Sequence, residues 1–181
     1  MKRVLSIQDI SCIGKCSLTV ALPIISAMGI ETSILPTSIL STHTMFNDFT
    51  FRDLTDDMEP IKKHWQKEGF SFDAIYTGYL GSEKQITLVK DYFKTFGNTC
   101  KYIIVDPAMA DNGKLYSGFD KDFPLKMAKL CKYADVILPN ISEAAFMTGM
   151  PYPGENASNE CIKDLLLSPV SYTHLTLPTI A

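Results

Sequence analysis

Short apolar runs that alternate with amphipathic stretches constrain this chain more than any other feature of its sequence. RVLSI (3–7), TSILPT (32–37), FDAIYTG (72–78), KYIIVDP (101–107) and DVILPN (135–140) read as strands. Between them, CSLTVALPIISAM (16–28) carries Leu18, Ala21, Leu22 and Ile25 at helical spacing, and Pro23 predicts a kink or an early end. In TDDMEPIKKHWQKEG (55–69), Met58, Ile61 and Trp65 share one face and Gly69 is the stop. SEKQITLVKDYFKTFG (82–97) opens on a capping-box pair, Ser82 and Gln85. It lines up Ile86, Val89, Phe93 and Phe96, and closes at Gly97. PLKMAKLCKYA (124–134) and SEAAFMTG (142–149) read as further helices. Apolar strands, each followed by a helix, predict an α/β fold in three layers, α/β/α, around a mostly parallel central sheet.

A parallel sheet gathers the carboxyl ends of its strands on one edge, and ligands bind beyond that edge. The polar residues expected there are Gln8, Asp9, Thr37 to Thr44, Gly78, Tyr79, Asp106, and Asn140 to Glu143. The first strand–loop–helix, with CIGKCS at its turn, matches neither G-x-G-x-x-G nor the P-loop, so a phosphate anchor at this loop is the weaker reading. In LSTHTMF (40–46), hydroxyls and His43 stand between apolar residues; turn residues satisfying their own backbone remain the alternative to a binding role. Two glycines bracket Tyr79 in TGYLGS (77–82), which permits close approach of a ligand to a flat ring, or simply a tight strand-to-helix loop. Asp106 closes an apolar strand, a placement suited to magnesium, and Asp111 follows in a polar loop that can reach over the site. Asn140 follows another strand and Glu143 lies in the first turn of the next helix, where capping competes with metal binding as its role.

Composition narrows the classes. The 181 residues are 46% apolar with a net charge of −3, a globular balance without the clustered Lys and Arg that nucleic-acid binding needs. Apolar segments fall short of a bilayer span, and MKRVLSIQD breaks at Gln8 and Asp9, too soon for a signal peptide. Five scattered cysteines without a CxxC pair and three histidines point to reduced thiols in a cytoplasmic protein, not to a metal cluster. The end, SPVSYTHLTLPTIA (168–181), has no formally charged residue and no period. Residues 1–167 are therefore read as part of one domain, and 168–181 as a tail foreign to it.

LSIQD, STHT, GYLGS, DPAMAD and PNISE, in this order over residues 5–143, resemble the pyridoxal kinase branch of the ribokinase-like family. CSLTVALPIISAMGI and FTFRDLTDDM are most similar to the pyridoxamine/pyridoxal kinases of Gram-positive bacteria. The resemblance implies transfer of the γ-phosphoryl of ATP, with magnesium, to the 5′-hydroxymethyl group of a B6 vitamer. It places Asp9 and Thr44 on the pyridine ring with Ser38 and His43 nearby, and stacks Tyr79 on the ring. Asp106 and Glu143 fall on the magnesium side with Asn140 beside them, and Asp111 and Tyr116 on a covering loop. It also implies a homodimer. Many relatives carry serine where this chain has Asp9, and DPAMAD replaces the commoner DPVMGD. The family's glycine-rich GTGD-type segment, which supplies the catalytic base and a phosphate anchor, does not occur in these residues. The chain is thus expected to be an N-terminal portion, inactive by itself. Hydroxymethylpyrimidine kinase activity and non-catalytic vitamer binding are the alternatives.

Overall fold

The computed structural model describes residues 1–154 and 157–167; the tail expected at 168–181 lies outside the described residues. The elements, in chain order, are β1 (Arg3–Ser11), α1 (Leu18–Ala27), β2 (Glu31–Leu40), β3 (Phe51–Asp53), α2 (Thr55–Lys67), β4 (Ala74–Thr77) and α3 (Glu83–Phe96). They continue with β5 (Tyr102–Val105), β6 (Ala110–Asp111), β7 (Lys114–Leu115), α4 (Phe123–Cys131), β8 (Val136–Ile137), α5 (Ile141–Thr148) and α6 (Asn159–Leu167). Six strands form one sheet in the order β3-β2-β1-β4-β5-β8, and β6 and β7 pair as a separate ribbon. All neighbours in the large sheet run parallel except β3, which adds to β2 antiparallel at one edge. The α/β architecture with a mostly parallel sheet follows the alternation of the sequence.

From β4 through β5 to β8 the chain steps in one direction, and the right-handed crossover rule puts α3 and α4 on the same face. The main core forms there: Leu5, Ile7, Ile75 and Val105 from the sheet meet Met58, Val89, Tyr92, Phe93 and Met127 from α2, α3 and α4. The step from β1 to β2 runs the other way and carries α1 to the opposite face. Only Leu18 of α1 is buried, although the helix is apolar on nearly every side. Pro23 does not end it; the helix runs through to Ala27.

Two local expectations resolve differently. Gly97 does not close α3 in a left-handed turn, since its φ is −63° and the chain tightens into a 3₁₀ turn over Gly97–Thr99. At the start of α3, Ser82 Oγ accepts from the Gln85 N–H at 3.2 Å, as a cap should, but the Gln85 side chain turns inward instead of reaching back to Ser82.

Candidate active site

Because β1, β2, β4, β5 and β8 are all parallel, the segments that leave them collect at one edge. At the end of β1 the pairing slips: Gln8 faces Pro36 but Ile10 faces Ile39, so Thr37 and Ser38 together oppose Asp9. A bulge of this kind re-aims a side chain, and Asp9 lines a cavity of about 340 Å³ although only 4% of the residue is exposed. Its Oδ2 accepts from Ser11 Oγ at 3.2 Å, and the Ser17 hydroxyl is a second partner. Burial pushes the Asp9 carboxyl above its ordinary range, against the opposing pull of those hydroxyls.

The loop after β1 meets the loop after β2 at Gly14. Its φ is +124°, and a Cβ there would lie 2.2 Å from Cδ2 of His43, so the imidazole occupies the space that any side chain would need. His43 Nδ1 accepts from the Met45 N–H at 3.4 Å, and Thr44 lines the cavity beside it. Tyr79, half-buried, leaves β4 with its carbonyl bonded to Thr37 Oγ1 at 3.2 Å. Its ring leans on Phe119 at 5.6 Å, and Phe119 stacks on Phe123 at 3.9 Å.

Behind Tyr79 stands Gln85, fully buried. Its Oε1 accepts from the Gly81 N–H at 2.8 Å, and its Nε2 lies 3.0 Å from Thr37 O, 2.9 Å from Thr55 Oγ1 and 3.3 Å from Asp53 Oδ1. One side chain thus ties the loop carrying Tyr79 to β2 and to the edge strand. A capping motif marked Gln85 in the sequence; its long-range partners were not visible there.

Asp111 and Tyr116 line the same cavity from β6 and the residue after β7. The expected polar loop is a two-residue hairpin: Asn112 and Gly113 take φ of 49° and 71°, as a type I′ turn demands. The Asn-Gly pair was the readable signal for it.

Asp106 lines an adjoining cavity of about 310 Å³ with Gln8 and Tyr76; the two cavities share Ser17, Tyr79 and Ala108. Asp106 Oδ1 accepts from the Ala108 N–H at 3.2 Å, and the Tyr76 hydroxyl is bonded to this carboxylate. Burial raises the Asp106 pKa, and burial followed by the Asp106 charge pushes the Tyr76 phenol up to about 12. Sequence reasoning named Gln8 at this edge but missed Tyr76, which reads locally as a strand residue.

The remaining expected residues lie outside both cavities. Asn140 and Glu143 form a complete capping box on α5: Asn140 Oδ1 accepts from the Glu143 N–H at 2.9 Å and Glu143 Oε2 from the Asn140 N–H at 2.8 Å. Glu143 Oε1 also accepts from the Met109 N–H at 3.1 Å, and Asn140 Nδ2 donates to Ala110 O at 2.8 Å. Burial first, then the nearby Asp106 charge, pushes Glu143 up to about 8. Ser38 is buried in β2 with its hydroxyl unpartnered. Among the described residues, no group of three or more His, Cys, Asp or Glu is placed to hold a metal ion.

Comparison with known proteins adds context to this geometry. The phosphomethylpyrimidine kinase family matches residues 31–172. A Bacteroides thetaiotaomicron protein described as a phosphomethylpyrimidine kinase, solved with pyridoxal, is 40% identical. It superposes with a TM-score of 0.90 over 97% of this chain and 62% of that one. The pyridoxal kinase of Lactobacillus plantarum is 36% identical, with a TM-score of 0.83 over 99% of this chain and 61% of that one. A pyridoxal kinase of Actinobacillus pleuropneumoniae is 27% identical over 175 residues, 92% of this chain and 60% of its own. At 20% identity, a Leishmania donovani pyridoxal kinase solved with ADP and pyridoxamine shares the fold, with a TM-score of 0.83. The chain spans 54% and 60% of the length of the first two curated relatives it matches.

Proposed function

The chain belongs to the phosphomethylpyrimidine kinase family, with pyridoxal kinases among its relatives, and from that premise we propose that it serves ATP-dependent phosphorylation of the 5′-hydroxymethyl group of a B6 vitamer. One observation carries the reading. Asp9, His43, Thr44 and Tyr79, from three separate strand ends, surround one cavity of a size for a small heterocycle, and Asp106 lines the cavity next to it.

In this reading the ring stacks on Tyr79, which Phe119 braces from behind. Asp9 and Thr44 offer polar contacts at its edge, with His43 closing the same wall. Ser38 acts from within β2, holding the bulge next to Asp9 rather than touching the vitamer. The hairpin residues Asp111 and Tyr116 cover the reacting groups and limit access of water. ATP supplies the phosphoryl group on the side of Asp106.

Asp106 fits a magnesium ion that takes most of its ligands from phosphate and water, because one buried carboxylate borders the adjoining cavity. When bound, magnesium neutralises charge on the transferring phosphoryl group. Glu143 already accepts backbone N–H groups at both oxygens. Its part on this side, with Asn140, is to hold the loop after Asp106 against α5.

Phosphoryl transfer also needs a base at the hydroxyl, and the 181 residues contain no GTGD-type segment to provide one. We therefore expect negligible turnover from this chain and retained vitamer binding. Calorimetric titration with pyridoxal, beside an assay with pyridoxal, ATP and magnesium, tests both halves. Absence of binding refutes the cavity reading, and turnover at the rate of an intact kinase refutes the inactivity. The family match also favours a second reading, a hydroxymethylpyrimidine substrate; titration with that pyrimidine against pyridoxal separates the two.

A homodimer is part of the proposal, supported by exposed Ile39, Met45, Phe46 and Phe51 on and beside the β3 edge. Sedimentation gives its test. A cytoplasmic location is likewise proposed, supported by five free cysteines. No helix among the described residues is long and apolar enough to cross a membrane.

A further inference from the structure

The next step rests on the reading of the larger cavity as a seat for a B6-type ring and concerns which form of that ring it prefers. We infer that Asp9 makes the cavity selective for a cationic ligand, favouring the aminomethyl vitamer, pyridoxamine, over its neutral hydroxymethyl counterpart, pyridoxine.

The charge inventory of the cavity carries the argument. Asp9 and Asp111 are the formally charged side chains that line it, and no lysine or arginine does. The other titratable groups facing it are Cys16, His43, Tyr79 and Tyr116. Lys15 lies in sequence between two lining residues, Gly14 and Cys16, but is exposed and outside the lining. Asp111 is exposed and already accepts from the Asn112 N–H at 2.9 Å, so water and its own turn screen it. Asp9 differs on both counts.

Only 4% of Asp9 is exposed, and the partners of its side chain are the hydroxyls of Ser11 and Ser17 rather than a cation. A buried carboxylate without a counter-ion is disfavoured in its charged form, and burial does raise the Asp9 pKa. Ser17 adds a second observation. It occupies the N-cap position of α1 at φ 52° and ψ −130°, yet its side chain makes no capping bond. Its hydroxyl is committed to Asp9 instead. A rarely populated backbone conformation and a forgone cap therefore serve to orient this one carboxylate toward the cavity. An arriving ammonium group supplies the counter-charge that the protein withholds, whereas a neutral hydroxyl does not. Charge-assisted hydrogen bonds are about twice as strong as neutral ones.

Pyridoxamine and pyridoxine share the ring and its other substituents, including the 5′-hydroxymethyl group, so comparing them isolates the charge. Calorimetric titration of the chain should show pyridoxamine binding at least about tenfold more tightly than pyridoxine. Asp9→Asn, which keeps the shape and removes the charge, should bring the ratio to about one through weaker pyridoxamine binding. Asp9→Ser is the second variant, and its preference should vanish in the same way; thermal melting verifies that each variant is folded. Equal affinities in the unaltered chain, or a preference that survives in a folded Asp9 variant, overturn the inference and leave the vitamer seat intact. If neither vitamer binds the unaltered chain, the seat itself is refuted and this selectivity falls with it.

Discussion

Replacing Gln85 with leucine tests whether the stacking residue Tyr79 is held from behind. The side chain is fully buried and meets four partners, but they do not all depend on it equally. Thr37 O also accepts from the Leu54 N–H at 3.1 Å, and Thr55 Oγ1 is also bonded to Asp53 Oδ1. Gly81 N–H, by contrast, has Gln85 Oε1 as its acceptor at 2.8 Å. Leucine therefore strands one backbone donor, at about 1–3 kcal/mol, and weakens bonds to groups that keep a second partner, at about 1 kcal/mol more. A loss of about 2–4 kcal/mol corresponds to roughly 5–15 °C in melting temperature for a chain of this size. Because Gly81 lies two residues beyond Tyr79, and Thr37 is bonded both to Gln85 and to the Tyr79 carbonyl, pyridoxal affinity should fall about tenfold as the ring loses its fixed pose. Melting followed by circular dichroism and pyridoxal calorimetry on the same sample are the assays. A variant that melts within about 2 °C of the parent and binds pyridoxal equally well would refute the reasoning.

Three further outcomes are expected. Gly14→Ala should abolish measurable pyridoxal binding by driving the new Cβ into His43, while Gly29→Ala, also at positive φ but with nothing within 4 Å of its Cβ, should cost only about 1–2 kcal/mol of stability and leave binding alone; calorimetry on both separates the contact from the strain. Tyr79→Ala should weaken pyridoxal binding about tenfold and Tyr79→Phe much less, if the ring face rather than the hydroxyl does the holding. Stability should decline as pH rises from about 5 toward 8, because Glu143 is raised from 4.5 to about 8 by burial and the Asp106 charge. In that window the folded chain keeps a proton that the unfolded chain has released. Urea titrations across the range should show this slope, and Glu143→Gln should flatten it.

How much of this was legible in the sequence depended on the reach of each interaction. The parallel sheet was legible because strands covered on both faces are apolar throughout, as in YIIV of β5. The Asn140–Glu143 cap was legible because its two partners are three residues apart. Gln85 has the same spacing from Ser82, and the same rule anticipates only half of what it does; its acceptor at Thr37 is 48 residues away. The bulge beside Asp9 arises from a register between β1 and β2 that no local pattern encodes. The edge strand β3 is three exposed residues, too short to show a period. Tyr76 is a plain strand residue until β5 is laid beside β4 and Asp106 comes within reach of its hydroxyl.

That distinction bears on how the two cavities relate. Glu143 is the residue that a motif assigns to chemistry and the structure assigns to architecture: its carboxylate caps α5 and holds the Met109 N–H, three residues beyond Asp106 and two before Asp111. Asn140 repeats the tie through Ala110 O. The segment between Asp106 and the hairpin is therefore pinned to α5 at two consecutive residues. Its ends, Asp106 beside one cavity and Asp111 beside the other, are held at a fixed offset. In-line phosphoryl transfer needs donor and acceptor groups kept in register to well under an ångström or so. A carboxylate spent on backbone N–H groups can accordingly matter to the reaction as much as one that touches it, by fixing the distance between the place where the ring sits and the place where charge must be neutralised.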